Sequence, residues 1–226
     1  MQDLTRSKQD YLKALWVLGP GGAPVSTSCL AARLGVSAPS VTNMLARLAA
    51  ERLVAHAPRA GARLTARGRR AALRMVRRHR ILETFLVRVL GLDWAEVHED
   101  AEVLEHHVSD RVLEALDRVA GHPVEDPHGA PIPDARGHVR RRALTPLVAL
   151  PRGARARVRE VPHGDGRRLA RWKEVGLVPG AAIRVVEVRP PEGVLMLEIA
   201  GRRLVTSMAA LEGVRVEAGR GGARGS

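Results

Sequence analysis

Residues 25–54, VSTSCLAARLGVSAPSVTNMLARLAAERLV, constrain the fold of this chain more strongly than any other stretch. They predict two short helices that meet at a tight turn at Gly35, with Ser26 and Ser37 as N-caps. Small residues let two helices cross closely, and apolar residues pack the second helix against the first. The residues with this spacing are Ala31, Gly35, Val41 and Met44. The pattern predicts a helix-turn-helix.

The following residues, LVAHAPRAGARLT (53–65), predict two short strands around a Pro/Gly turn, the wing of a winged helix. A helical hairpin without DNA explains the helices but leaves the basic wing without a purpose. The chain has 37 Lys and Arg against 24 Asp and Glu, a surplus that favours a nucleic-acid partner. We therefore expect residues 1–65 to bind double-stranded DNA. The expected contacts are Ser37, Pro39, Ser40, Thr42 and Asn43 near base edges, and Arg47, Arg59 and Arg63 at phosphates.

Residues 66–138 are predicted to be all-helical. Thr65 can cap a long helix that reaches about Leu90, and two shorter helices are expected over 94–107 and 110–120. These helices are apolar on more than one side, a pattern common at dimer interfaces. We expect this segment to form a homodimer.

The C-terminal segment, residues 154–217, predicts a small β-barrel. Its alternating apolar runs cover 155–161, 181–188, 194–199 and 203–207, with one short helix, GRRLARWKEVG, between the first two. A basic, proline-rich linker is expected over 139–153 and a disordered tail over 218–226.

Residues 97–110, VHEDAEVLEHHVSD, concentrate histidines and carboxylates, and no cation follows until Arg111. On a helix, four of these donors would share one stripe: His98, Glu102, Glu105 and His106. His79 and Glu83 form a second pair, one turn apart, on the preceding helix. An acidic, water-facing helix surface, or histidines satisfied in a helical core, would also explain this pattern.

Carboxylates in close quarters repel one another or take up protons unless a cation neutralises them. The donors here are imidazole and carboxylate, without thiolate or thioether. Such hard donors favour Mn²⁺ or Fe²⁺ over copper or structural zinc. The cluster therefore predicts a divalent metal site.

The three predicted parts together resemble the diphtheria toxin repressor family of metal-dependent transcriptional regulators. The stretches that carry the resemblance are RHRILETFL (78–86), VHEDAEVLEHHVSD (97–110) and PHGAPIP (127–133). The resemblance implies an α+β multidomain fold: a winged helix-turn-helix, an all-helical metal-binding and dimerisation domain, and an SH3-like β-barrel. The barrel resembles the domain of ferrous-iron transport protein A.

The resemblance also implies two metal sites. The first consists of His79, Glu83 and His98. Some three-domain members add ligands from the barrel to this site, which here correspond to Asp165 and His163, while the second such position holds Arg168, which cannot coordinate. The second site consists of Asp10, Glu102, Glu105 and His106.

Two departures within the family bear on the metal. Asp10 and Glu102 replace the Met and Cys of iron-sensing members, and this hard-donor pairing resembles the manganese-responsive branch. Some manganese-branch members carry a Glu one turn after the first-helix Asp, where this chain has Lys13, which argues against a closely spaced two-metal centre. The resemblance therefore implies a manganese-activated repressor of metal-uptake genes that binds a palindromic operator.

Other interpretations stay open at this stage: a ferrous-iron-dependent repressor of the same family, a metal-dependent hydrolase, and a nucleic-acid scaffold without metal response. The sequence offers no lid loop, substrate clamp or separate nucleophile motif, so we expect neither an enzyme nor a small-molecule substrate. The only cysteine, Cys29, is expected in the core of the second helix. No signal peptide or membrane-spanning run is apparent, which predicts a cytoplasmic protein without membrane contact.

Overall fold

The structure is a computed structural model that describes residues 4–57, 60–140, 142–162 and 164–219. These residues divide into two compact units. The first unit consists of the described residues within 1–79, 104–108 and 133–139, and the second of those within 80–103, 109–132 and 140–226.

The first unit contains a winged helix. Its elements are α1 (Arg6–Leu18), α2 (Thr27–Leu34), α3 (Ala38–Ala50), β1 (Val54–Ala57) and β2 (Gly61–Leu64). The two strands pair antiparallel, and Val25 adds a bridge to Ala62 beside them. Three helices followed by a two-stranded wing confirm the predicted helix-turn-helix fold.

Local capping explains why α2 and α3 begin where they do. The Ser26 hydroxyl accepts a hydrogen bond from the Cys29 backbone at 3.2 Å, and the Ser37 hydroxyl accepts one from Ser40 at 3.4 Å. Gly35 has a left-handed backbone, φ 65°, which ends α2. Cys29 is exposed, so the expectation of a core cysteine is wrong, and the buried residue of α2 is Leu30.

The core of this unit forms where one apolar face of each helix meets the others. Four fully buried leucines and one valine come from all three helices: Leu12, Leu30, Val41, Leu45 and Leu48. Because α1 and α3 share this core, a shift of α1 must also move α3 or disrupt the packing.

Helix α4 spans Ala66–Arg88, close to the predicted bounds. Thr65 caps it as expected, because its hydroxyl accepts a hydrogen bond from the Gly68 backbone at 3.0 Å. Helix α6 spans Asp110–Val119, and the Ser109 hydroxyl caps it by accepting from Val112 at 3.3 Å.

Helix α5 is shorter than predicted and spans only Val97–Leu104. Residues 105–107 form a turn. The buried Arg78 guanidinium donates to the Glu105 carbonyl at 2.8 Å and also to the Val108 carbonyl. These carbonyl groups lie in a break between two helices, so the prediction that His98 and His106 share one helical stripe is wrong.

The second unit contains a six-stranded antiparallel sheet. Its strands are β3 (Thr145–Pro146), β4 (Arg155–Glu160), β5 (Ala182–Arg189), β6 (Val194–Ile199), β7 (Arg202–Ser207) and β8 (Arg215–Ala218). Their order is β3-β8-β4-β5-β6-β7, and α7 (Gly166–Glu174) lies between β4 and β5 in the chain. Trp94 and Ala95 share the core of this sheet with Leu169 and Trp172 of α7.

The predicted ends of the C-terminal segment need correction. Within the expected linker, β3 pairs with β8, and Leu147 and Leu150 are buried in the core of the sheet. At the other end, Ala218 pairs with Ala156 in β4, and the Gly219 backbone donates to Arg155 at 2.8 Å. The remaining tail, residues 220–226, lies outside the described residues.

Helical N-terminal parts followed by a six-stranded antiparallel sheet confirm the α+β fold class. Among the described helices, none combines the length and the apolar composition needed to cross a membrane.

Candidate metal centre

The first unit brings together three side chains that can bind a metal ion. Asp10 comes from α1, and Glu105 and His106 come from the turn after α5. One ligand atom of each lies within 4.8 Å of the other two. His106 Nε2 is 3.0 Å from Asp10 Oδ1 and 3.6 Å from Glu105 Oε1. Two carboxylates and one imidazole at this spacing suit a divalent ion with a preference for hard ligands.

The ring of His106 is held by Gln9, which precedes Asp10 on α1. The Gln9 side-chain amide donates to the Leu4 carbonyl at 3.0 Å, which fixes its oxygen on the other side. That oxygen is 2.8 Å from His106 Nδ1. Because an amide oxygen only accepts, Nδ1 must carry the proton. In the neutral ring, Nε2 then directs its lone pair towards Asp10 and Glu105, as a metal ligand requires.

The Glu105 carboxylate is fully buried and lies between two further groups of the first unit. Its Oε2 is 2.6 Å from His79 Nδ1. Lys13 donates to both carboxylate oxygens, at 2.9 and 2.8 Å. The predicted ligands Glu105 and His79 are therefore adjacent, and a cation of the chain itself lies beside them.

In the second unit, His98 lies between two carboxylates. His98 Nδ1 is 3.2 Å from Glu83 Oε1, and its Nε2 is 3.6 Å from Glu102 Oε1. Glu83 is fully buried, whereas the Glu102 side chain is 35% exposed. His79 precedes Glu83 by one turn of α4 but belongs to the first unit. The grouping of His79 with Glu83 and His98, and of Glu102 with Asp10, stays a prediction.

The second unit also brings Asp126 and His128 to Glu83, two residues that were not among the predicted ligands. The three residues are buried and offer ligand atoms within 4.8 Å of one another. His128 Nε2 is 2.9 Å from the Trp94 carbonyl, which only accepts, so Nε2 carries the proton. His128 Nδ1 then faces Glu83 Oε2 at 3.7 Å. This is again the orientation that a metal-ligating histidine adopts.

The charges of this buried group perturb its ionisation. Burial, together with the nearby Glu83 carboxylate, raises the pKa of Asp126 to about 6, although Arg80 opposes this shift. Burial by itself lowers the pKa of His128, but the Glu83 and Asp126 carboxylates outweigh it, and the net pKa is raised. Both shifts reflect carboxylates crowded together in a buried site, and a divalent cation would neutralise that charge.

The signal for Asp126 and His128 was present in the sequence. They lie two residues apart in VEDPHGAP, a Pro/Gly loop that folds tightly. Asp126 Oδ1 accepts from the backbones of His128 and Ala130, each at 2.9 Å. At Gly129, φ 87°, a Cβ would be 1.8 Å from the Arg159 carbonyl, so a side chain has no room there. Gln9 gave no such signal, since the residue that it orients, His106, is 97 positions away in the sequence.

The two predicted barrel ligands are not joined to these groups. Asp165 is exposed and caps α7, accepting from the Arg168 backbone at 3.1 Å. Among the residues that the structure describes, the groups of converging donors do not include it. His163 lies outside the described residues. Both stay predictions.

The predicted DNA contacts on α3 lie on the face of this helix opposite the core. Exposed positions on α3, its cap and β2 include Ser37, Pro39, Ser40, Thr42, Asn43, Arg47 and Arg63. Val41, Leu45 and Leu48 form the buried face. Arg59 lies outside the described residues. The exposed face has the polar and basic composition that a recognition helix and its wing require.

A winged helix followed by helices with converging hard donors defines a metal-dependent DNA-binding regulator. Comparison with known proteins agrees. Residues 3–62 match the iron dependent repressor N-terminal DNA binding domain, and residues 65–134 match its metal binding and dimerisation domain. Residues 145–218 match the FeoA domain.

Relatives of known identity match more than half of this chain, and some match nearly all of it. The iron-dependent repressor IdeR of Mycobacterium leprae is 32% identical over 218 residues, which cover 91% of this chain and 94% of that protein. The diphtheria toxin repressor of Corynebacterium diphtheriae is 32% identical over 133 residues, 59% of each chain. This chain therefore belongs to the iron-dependent repressor family, which includes the diphtheria toxin repressor.

A solved structure described as a manganese-dependent transcriptional repressor in complex with manganese is also similar. It has 40% sequence identity and a TM-score of 0.88, and the match covers 93% of this chain and 99% of that chain. The manganese regulator SloR matches with 31% identity and a TM-score of 0.78, over 96% of this chain and 100% of its own. The chain is thus a metal-dependent transcriptional repressor, and its cofactor is a divalent metal ion.

Proposed function

We propose that this chain is a manganese-activated repressor of metal-uptake genes, which binds a palindromic operator as a homodimer. The observation that supports this most directly is the group Asp10, Glu105 and His106. Its two carboxylates and one imidazole are hard donors, without sulfur, and they fit Mn²⁺. The similarity to a manganese-dependent repressor that is 40% identical points the same way.

The proposed ligand sets combine donors that converge within one unit with further residues that the family resemblance implies. We assign Glu102 as a fourth ligand of the group formed by Asp10, Glu105 and His106. The second proposed ligand set consists of Glu83, His98 and His79, which lies on the same helix as Glu83. Asp126 and His128, buried against Glu83, extend this set, and the barrel loop would contribute Asp165 and His163.

The residues of the first group link metal binding to DNA binding. Asp10 belongs to α1, whose leucines share a core with α3. When bound, the divalent ion supplies the positive charge that two adjacent carboxylates need. Asp10 then holds α1 beside Glu105 and His106. Because α1 and α3 pack in one core, the position of α1 also determines the position of α3, the recognition helix. A shift from 1:99 to 99:1 between free and DNA-competent states requires roughly 5.5 kcal/mol of differential binding.

On the DNA side, the exposed residues of α3 take two roles. Asn43 can pair bidentately with adenine, and Ser40 can bond several bases. Arg47 and Arg63 neutralise phosphates, which adds affinity and salt dependence but little sequence information. Two copies of α3 in a homodimer would read successive major grooves of a palindromic site.

A ferrous-iron-dependent repressor is the second candidate. The observation that favours it is the identity of 32% with an iron-dependent repressor over 91% of this chain. Carboxylate and imidazole ligands bind Fe²⁺ at least as strongly as Mn²⁺ in the general affinity order, so the ligands alone do not separate the two metals.

The test compares metal-stripped wild-type chain with Asp10→Ala and a control, Asp100→Ala, whose carboxylate is exposed on α5. Operator binding is measured by fluorescence anisotropy at fixed salt while Mn²⁺, anaerobic Fe²⁺ or Zn²⁺ is added. We expect saturating Mn²⁺ to give the largest gain in operator affinity of the three metals, and Asp10→Ala to lose this response while Asp100→Ala keeps it. A response of Asp10→Ala equal to that of wild type would contradict the assigned link, and a stronger response to Fe²⁺ would favour the iron sensor.

A further inference from the structure

Lys13 lies on α1, less than one turn beyond Asp10, and it reaches the same cluster of donors. Its ammonium nitrogen is 2.9 Å from Glu105 Oε1, 2.8 Å from Glu105 Oε2 and 3.1 Å from His79 Nδ1. The Lys13 side chain is 12% exposed, that of Glu105 is 0% exposed and that of His79 is 3% exposed. Three potential ligand atoms on two buried residues thus converge on one nitrogen atom.

Atoms arranged in this way are typical of a cation site. An ammonium group is a compact point charge with three donors, and it satisfies buried carboxylate oxygens much as a metal ion does. We propose that Lys13 is a tethered cation: it occupies the place of a second divalent ion beside Asp10, Glu105 and His106. It thereby restricts this cluster to one metal ion and raises the metal concentration at which that ion binds. The inference rests on the proposed function, since it concerns the same donors.

The geometry explains why Lys13 should compete with the metal rather than assist it. Lys13 donates to both oxygens of Glu105, including Oε1, which faces His106 Nε2 at 3.6 Å. A metal ion on Glu105 must share or displace these hydrogen bonds, and its charge repels the nearby ammonium. Lys13 therefore stabilises the metal-free cluster and disfavours the metal-bound one.

If Lys13 had only a structural role, its removal would change the metal affinity in the opposite direction. If the ion pair only orients Glu105, its removal leaves a buried carboxylate poorly positioned, and metal binding weakens. If Lys13 competes, its removal leaves an uncompensated buried carboxylate that binds a metal ion more tightly. The sign of the change in metal affinity therefore separates the two roles.

The experiment uses the full, metal-stripped chain, with Mn²⁺ as the probe. Isothermal titration calorimetry gives affinity and stoichiometry, and elemental analysis after gel filtration gives the ions retained per chain. The variants are Lys13→Met, which removes the charge at similar length, and Lys13→Glu, which adds a carboxylate. Lys8→Met is the matched control. Lys8 lies on α1, like Lys13, but it forms an ion pair with Glu51, which is outside the donor cluster.

We expect Lys13→Met to bind Mn²⁺ about tenfold or more tightly than wild type, the scale of a lost hydrogen bond to a charged group. Lys13→Glu should retain one additional ion per chain, and Lys8→Met should match wild type. Without metal, Lys13→Met should melt at a lower temperature than wild type, and Mn²⁺ should raise its melting temperature further. Lys13→Gln replaces the Met variant if that variant does not fold.

Equal or weaker Mn²⁺ binding by a folded Lys13→Met or Lys13→Gln chain would overturn the inference. Unchanged stoichiometry in Lys13→Glu would overturn the part that places Lys13 where a second ion would bind. A wild-type chain that takes up no Mn²⁺ contradicts the proposed function itself. Normal Mn²⁺ binding by wild type, with no gain in the Lys13 variants, contradicts only the role of Lys13.

Discussion

Gln9 gives the sharpest test of how this chain prepares a metal ligand. Its amide oxygen accepts from His106 Nδ1 at 2.8 Å, and its amide nitrogen donates to Leu4 at 3.0 Å. Gln9→Met keeps the length of the side chain but removes both hydrogen bonds. Without the acceptor, the His106 ring loses its orientation and the preference for a proton on Nδ1. We therefore expect Gln9→Met to weaken metal binding without removing any ligand.

The magnitude follows from this single contact. Loss of the partner that orients a ligating histidine typically weakens metal affinity by about 10- to 100-fold. This corresponds to about 1.4–2.8 kcal/mol of binding free energy. The His106 side chain is only 4% exposed, so water cannot easily replace the Gln9 oxygen, which favours the upper part of that range.

The assay is a Mn²⁺ titration of the metal-stripped chain by calorimetry, with Gln9→Glu as the matched control. Glu keeps an acceptor for His106 Nδ1 and strengthens it, so Gln9→Glu should bind Mn²⁺ at least as tightly as wild type. Wild-type affinity in Gln9→Met would refute the reasoning. An equal loss in both variants would show that the bond to Leu4, and not the bond to His106, matters.

Three further predictions follow from the structure. Asn43→Ala should weaken operator binding by about 1–3 kcal/mol at unchanged Mn²⁺ uptake, because Asn43 is exposed on α3; anisotropy measures the loss, and wild-type affinity would argue against base contact. Asp126→Asn should reduce Mn²⁺ uptake by the group around Glu83, measured by equilibrium dialysis, and full uptake would exclude Asp126 as a ligand. Leu45→Ala should lower the free energy of unfolding by about 2–5 kcal/mol in urea titrations, because Leu45 is 0% exposed; a loss below that of an exposed alanine substitution would contradict this.

Local signals in the sequence were enough to predict the winged helix. The starts of α2 and α3 depend on Ser26 and Ser37, and the turn between them depends on Gly35. Each of these residues forms its hydrogen bond with a residue only three or four positions away. The end of α5 could not be predicted in the same way. It depends on Arg78, which reaches the Glu105 carbonyl from another helix, and this contact exists only in the folded chain.

The candidate site also contains some residues that the sequence indicates and others whose role depends on contacts in the folded chain. Asp10, Glu105 and His106 were predicted from resemblance and residue type, and the structure brings them together. The roles of Gln9 and Lys13 depend on which atoms they reach across the fold, which residue type alone does not reveal. Asp126 and His128 carried a readable pattern of two donors in a Pro/Gly loop, but only their burial beside Glu83 gives that pattern meaning.

The central claim is that a metal ion on hard donors controls DNA binding, and one measurement tests it most directly. The dissociation constant for an operator fragment is determined at fixed salt with the metal-stripped chain, again with saturating Mn²⁺, and once more after a chelator removes the ion. We expect binding at least about 100-fold tighter with Mn²⁺, the scale of a coupling near 3 kcal/mol, and a full return to the metal-free affinity with chelator. Equal affinity under all three conditions would contradict it and leave the donor cluster a structural feature.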